Sequence, residues 1–202
     1  ADEYNFYPTD GLTLFQRTGD EYFRIMGGWD VTASPGVTAR EGMNKLTPVT
    51  NWRGYCSKYN YAVGTTDGGE NAVTGYIFEK MNASDKKDVN DRGNSKGLNT
   101  LLYDFKAYKA NFILGDYFVA LGAGVINEKP AMEGGIRTTI DQTAHIGAVT
   151  VIEKGKEKPL QEGRQSLITF EGQPVWVMQE GKFAYRVLPE FTRKAFVLTE
   201  TC

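Results

Sequence analysis

Short segments in which apolar and polar residues alternate constrain this chain more than any other feature. From Asn71 to Met81, Val73, Gly75, Ile77 and Glu79 share one side of an extended backbone, and Thr74, Tyr76, Phe78 and Lys80 the other. From Ile136 to Thr143, Ile136, Thr138 and Ile140 oppose Arg137, Thr139 and Asp141. A period of two marks strands, because successive side chains leave a strand on opposite faces. Further strand-like runs cover residues 11–16, 22–26, 98–105, 148–152, 166–170, 175–178, 183–187 and 195–198. Such runs recur about every 8–12 residues with turn residues between them, the spacing of a sandwich or barrel. No window carries a helical stripe longer than about three turns, and a short helix within 78–87 would compete with the strand pattern before it. The expectation is an all-β fold, a large and mostly antiparallel β-sandwich forming one domain over residues 1–202.

Composition agrees. Eleven Tyr, eleven Phe and three Trp favour strands, and 23 Gly suit the many tight turns that short strands need. Two hairpins are expected, one around Arg17-Thr18-Gly19-Asp20 and one around Leu114-Gly115-Asp116. The apolar runs beside the second, within Lys109 to Val125, predict strands buried on both faces. Residues 64–71 and 84–97 read as loops, and Gly122-Ala123-Gly124 as a glycine turn with no helix behind it to cradle a nucleotide.

The net charge of −2 argues against nucleic acid as the main partner but leaves room for a local cationic cluster and an acidic polysaccharide. No apolar run approaches the ~20 residues that cross a bilayer, so no membrane partner is expected. The start, ADEYNFYPTDG, carries no basic-then-apolar leader and reads as the inside of a domain, a mature or cut piece of something larger. Cys56 and Cys202 specify neither a disulfide framework nor a metal site, although a single bridge is open to them. There is no G-x-S-x-G elbow, no Walker loop and no H-E-x-x-H. His145 is the one histidine, and a structural or solvent-facing role suits it better than that of a general base. Asp67 with Glu70, or Asp85, Asp88 and Asp91, are candidate Ca²⁺ ligands, but their spacing is not that of an EF-hand and solvated loops explain them. No cofactor is otherwise expected.

The stretch Tyr22 to Glu41, YFRIMGGWDVTASPGVTARE, brings a Trp, a carboxylate and an Arg close together in sequence. Sugar sites use this mixture: an indole covers the apolar face of a pyranose while charged groups take hydroxyls or acid groups. The alternative is that Trp29 anchors a core at a strand end and Pro35-Gly36 is merely a turn.

Several segments, in order, resemble one family. Tyr7-Pro8-Thr9-Asp10-Gly11-Leu12-Thr13 is similar to an opening of aromatic, small residue and Asp-Gly. Asp20 to Thr38, through Trp29-Asp30 and Pro35-Gly36-Val37-Thr38, resembles a segment with W-D/E followed by P-G-T/V-T. Phe112 to Gly124 resembles a strand pair ending in Leu-Gly-x-Gly, and Arg137-Thr138-Thr139-Ile140-Asp141-Gln142 a T-T-I/V-E/D-Q/N run. Val175 to Tyr185 looks like a W-x-x-H-D-G-x-x-Y hairpin, with Gln179-Glu180 in place of His-Asp. Together these resemble the central β-sandwich of the polysaccharide lyases that cleave chondroitin, dermatan and hyaluronan, over roughly residues 1–190.

The resemblance implies a super-sandwich of the galactose-mutarotase-like type, a preceding α/α-toroid domain of the same protein, a small β domain after it, and secretion or a periplasmic location. It implies β-elimination on an acidic polysaccharide, with most of the chemistry on the toroid. A uronate lyase neutralises the substrate carboxylate, removes the proton at C5 and protonates the leaving oxygen at C4. The family's sandwich supplies an acidic residue, often with an Asn, just before the aromatic–Asp-Gly opening; Glu3 and Asn5 are the nearest equivalents, at a shorter spacing. Arg40, Arg17 and Arg53 are candidates to pair with substrate carboxylate or sulfate, and Trp29 and Trp52 to stack on a sugar ring. The other readings are a non-catalytic carbohydrate-binding β-sandwich and a purely structural domain.

Overall fold

The computed structural model describes residues 11–25, 27–41, 61–79, 105–128, 130–131, 134–163, 165–169, 171–190, 192 and 194–199. Nearly all regular structure among them is antiparallel strand, together with one 3₁₀ turn at Val31–Ala33. The chain divides into two compact units: Ala1–Leu14 with Trp29–Gln142, and Phe15–Gly28 with Thr143–Cys202.

In the first unit, β1 (Thr38–Arg40) pairs with β6 (Ile136–Thr138) in register Thr38↔Thr138, Ala39↔Arg137 and Arg40↔Ile136. A four-stranded sheet runs in the order β2 (Ala62–Thr66), β3 (Asn71–Glu79), β4 (Phe105–Leu114) and β5 (Tyr117–Asn127). Its buried end is Phe78 against Ala107, with Tyr76 and Ile136 packed on them. Full burial of one such aromatic side chain stabilises by about 1.5–3 kcal/mol. The alternation read along residues 71–79 is what directs Phe78 inward.

The hairpin around Gly115 forms, with Leu114 opposite Tyr117. Its burial does not match the expectation: β5 is exposed along almost its whole length, and Tyr117 is 74% exposed. β5 lies at the sheet edge with only β4 beside it, so its apolar residues have no layer over them among the described residues. Gly122-Ala123-Gly124 is not a turn either. All three residues lie inside β5, where the β4–β5 register shifts and Gly124 takes φ +61° against the Tyr108 ring.

In the second unit, β7 (Val149–Glu153), β8 (Lys156–Pro159), β10 (Val175–Gln179) and β11 (Ala184–Val187) form a sheet ordered β11-β10-β7-β8. β9 (Gln165–Thr169) and β12 (Lys194–Leu198) pair separately. Val151, Ile168 and Val175 are buried together, with Leu160, Val177 and Val197 around them, so the pair closes one face of the sheet. The hairpin expected over residues 11–26 does not form among the described residues. Residues 21–24 turn, with Arg24 at φ +58°, and Glu21 gathers the preceding backbone of residues 17–19 onto its carboxylate.

Candidate functional site

In the first unit, parts of three of the segments that carry the resemblance meet, at Thr13, Pro35-Gly36-Val37 and Thr139. Pro35 O accepts from Thr13 N (2.9 Å), Thr139 O from Gly36 N (2.9 Å) and Val37 O from Thr139 N (3.0 Å). Gly36 has φ +75°, and a Cβ there would strike Gly11 O and the Thr13 side chain, so the Pro-Gly turn is held by close approach as well as by conformation.

Asp30 and Gln142 lock this region. Asp30 caps the 3₁₀ turn: its Oδ1 accepts from Thr32 N (2.9 Å) and Thr32 Oγ1 (2.7 Å). Gln142 Oε1 accepts from Asp30 N (2.9 Å), while its Nε2 donates to Asp30 O (3.0 Å) and Ala33 O (2.9 Å). Arg137 donates to Asp30 Oδ2 at 3.0 Å and lies 3.9 Å from Glu41 Oε1. Trp29 is half-buried beside this cluster, with its indole Nε1 donating to Ser34 Oγ at 3.1 Å. The carboxylates of Asp30 and Glu41 can accept sugar hydroxyls, the Arg137 guanidinium between them can donate, and the partly open Trp29 indole offers an apolar ring face.

Arg40 does not belong to that arrangement. It is 1% exposed, and its guanidinium donates to Gly134 O (2.6 Å) and Asn127 Oδ1 (2.7 Å). Arg137 pairs with Ala39, so strand alternation sends Arg40 to the other face of the β1–β6 ladder. The expectation of Arg40 as a substrate cation is therefore corrected: it is an internal tie. Sequence reasoning missed Arg137 as the cation paired with Asp30, although the strict alternation of residues 136–141 already separated it from Ile136.

Arg17 lies in the second unit, exposed, with NH1 donating to Gly181 O at 3.0 Å. Its backbone N–H belongs to a nest around Glu21, whose carboxylate accepts from the N–H groups of Arg17, Thr18 and Gly19, each at 2.8 Å. Glu21 is 1% exposed. The Thr18 N–H above all, helped by those of Arg17 and Gly19, holds the Glu21 carboxyl down to about 2 despite burial, which acts the other way. The backbone of Glu21 accepts from Thr143 Oγ1 (2.9 Å) and Ala144 N (2.8 Å), tying the loop to the strands that follow.

Glu3, Asn5, Trp52 and Arg53 lie outside the described residues, as do Asp85, Asp88, Asp91, Cys56 and Cys202. The Asp67 carboxylate is engaged in its own turn, by Asn71 Nδ2 (2.6 Å) and Gly69 N (2.8 Å), and the Asn71 bond leads in lowering its pKa. Among the described residues, no group of three His, Cys, Asp or Glu side chains is placed to hold a metal ion. His145 is exposed. No described helix is long and apolar enough to cross a membrane.

Comparison with known proteins agrees with this framework. Over 176 residues the chain is 28% identical to Chondroitinase-AC of Pedobacter heparinus, an alignment covering 86% of this chain and 20% of that protein. The chain thus spans about a fifth of the length of this relative. No solved structure matches. Residues 2–199 match the model of the super-sandwich domain of polysaccharide lyase family 8, and the chain belongs to that family.

Proposed function

We propose that this chain is the β-sandwich part of a larger, secreted or periplasmic lyase. That enzyme cleaves uronic-acid-containing glycosaminoglycans of the chondroitin, dermatan or hyaluronan type by β-elimination. The chain forms one wall of the substrate cleft, opposite a catalytic α/α-toroid domain of the same protein. The observation that carries the reading is the super-sandwich match over residues 2–199, supported by the likeness to a chondroitinase. The half-buried, hydrogen-bonded Trp29 supplies an indole shelf next in sequence to Asp30, with which Arg137 pairs. Arg17 offers an exposed cation. Proton abstraction and leaving-group protonation belong to residues outside this chain.

The test is spectrophotometric. Residues 1–202 mixed with chondroitin or hyaluronan give no rise in the absorbance of an unsaturated uronate, whereas the full-length protein does. Robust turnover by residues 1–202 alone, or none by the full-length protein, overturns the reading.

A further inference from the structure

The outward face of the β11-β10-β7-β8 sheet has the makings of a ligand site that the cleft-wall reading leaves unused. Cross-strand register places Trp176 beside Ile152 on one side and Arg186 on the other, and Ile152 opposite Glu157. The next rank is Met178 beside Thr150 and Ala184. The opposite face of the same sheet carries the buried Val151 and Val175, so alternation turns Trp176 outward, where it is 38% exposed.

Along β7, the smaller side chains of Ala148, Thr150 and Ile152 make the floor of an open trough of about 230 Å³. Its walls are Glu157 on one side and Met178 and Glu180 on the other. Ala148 to Ile152 spans four residue steps, about 13 Å, ample room for one pyranose ring with its linkage to the next. At the Ile152 end, the Arg186 guanidinium lies 5.6 Å from the centre of the Trp176 ring. That contact restrains both side chains before any ligand arrives. The charge differs across the sheet: in the row of Ile152, Arg186 and Trp176 stand on the β11–β10 side and Glu157 on the β8 side, and Glu180 lies at the Ala148 end of the trough.

We propose that this face is a carbohydrate site for a polymer in which a uronate alternates with an uncharged sugar. Arg186 takes the uronate carboxylate while Trp176 and Met178 cover C–H surface. The uncharged ring lies in the β7 trough, its hydroxyls donating to Glu157 and Glu180. The alternation of the polymer explains why one cation and two carboxylates can serve one ligand. This inference rests on the acidic-polysaccharide reading above, and it adds a site to the one at Trp29.

Titration calorimetry of the 202-residue chain with a chondroitin tetrasaccharide tests it, with a neutral glucan tetrasaccharide as control. Arg186→Ala and Trp176→Ala are each expected to weaken binding at least tenfold, Glu157→Gln about threefold, and the neutral glucan to bind at least tenfold more weakly. Arg186 is exposed, so its variant decides the matter if Trp176→Ala melts early. Unchanged affinity in a folded Arg186→Ala variant overturns the proposal, as do equal affinity for the neutral glucan and a lack of any binding. Loss of binding through Trp29→Ala alone overturns the site at Trp176 and leaves the cleft-wall reading standing.

Discussion

Gln142 holds the Asp30 backbone on both sides of its Cα, accepting from its N–H at 2.9 Å and donating to its C=O at 3.0 Å, across 112 positions of sequence. The amide is the right group for the task because it donates and accepts at once. Gln142→Ala leaves an N–H and two carbonyls without these partners, and a lost hydrogen bond that strands a buried group costs about 1–3 kcal/mol. Gln142→Glu keeps the acceptor and loses the donor, so it is expected to destabilise as well. Urea unfolding followed by Trp fluorescence measures both.

Arg40 and Arg137 separate stability from recognition. Arg40→Met removes the donors to Gly134 O and Asn127 Oδ1 while filling similar space, and is expected to lower stability by about 1–3 kcal/mol. Sugar affinity at saturating fold should be unchanged. A folded Arg40→Met variant with normal stability and lost affinity would return Arg40 to the ligand.

Trp29→Ala is expected to weaken polysaccharide binding by the full-length protein severalfold and to leave the isolated chain folded, since the indole is only half-buried. The measurement is KM for chondroitin together with the melting temperature. A fall in melting temperature without a change in KM would make Trp29 an ordinary packing residue.

Acid should act through Glu21. Its folded pKa is about 2 against an ordinary 4.5, so its contribution is fully present above about 4.5 and is lost as pH falls toward 2. Melting temperatures between pH 6 and pH 2 are expected to decline less steeply for Glu21→Gln than for the parent. The variant should also be less stable near neutrality, because its amide group cannot accept all the N–H bonds of Arg17, Thr18 and Gly19.

Much of this was legible from alternation alone. Residues 71–79 and 175–179 place Phe78, Val175 and Val177 on the core side as the period of two requires. Local side-chain chemistry hid the rest. The run at 22–26 looks like a strand, but a carboxylate at position 21 offers the backbone a competing set of bonds. The β7–β8 hairpin turns on Lys154-Gly155, with Lys154 at φ +51°, and a lysine in that conformation gives no warning in the sequence, so β8 was not foreseen. Which arginine reaches Asp30, the neighbour of Trp29, depended on strand parity: the register Ala39↔Arg137 puts Arg40 on the other face of the β1–β6 ladder, and Arg137 is the one that pairs with Asp30. The apolar run at 117–126 reads as interior because sequence reports hydrophobicity, not what lies against it.

That uncharged edge has a practical consequence. Lys is a common natural guard of such strands, and β5 from Tyr117 to Asn127 contains no charged residue at all. Leu121→Lys, on an exposed position, is expected to raise the concentration at which the isolated chain stays dispersed in sedimentation runs, with little change in melting temperature.

The interleaving of the two units has a further effect. Residues 15–28 belong with 143–202, although 114 others intervene between Gly28 and Thr143. A gene severed after Gln142 would therefore deprive the downstream product of Glu21, whose carbonyl receives Thr143 and Ala144. Neither half can be inherited, shuffled or expressed as a contiguous stretch without leaving part of itself behind.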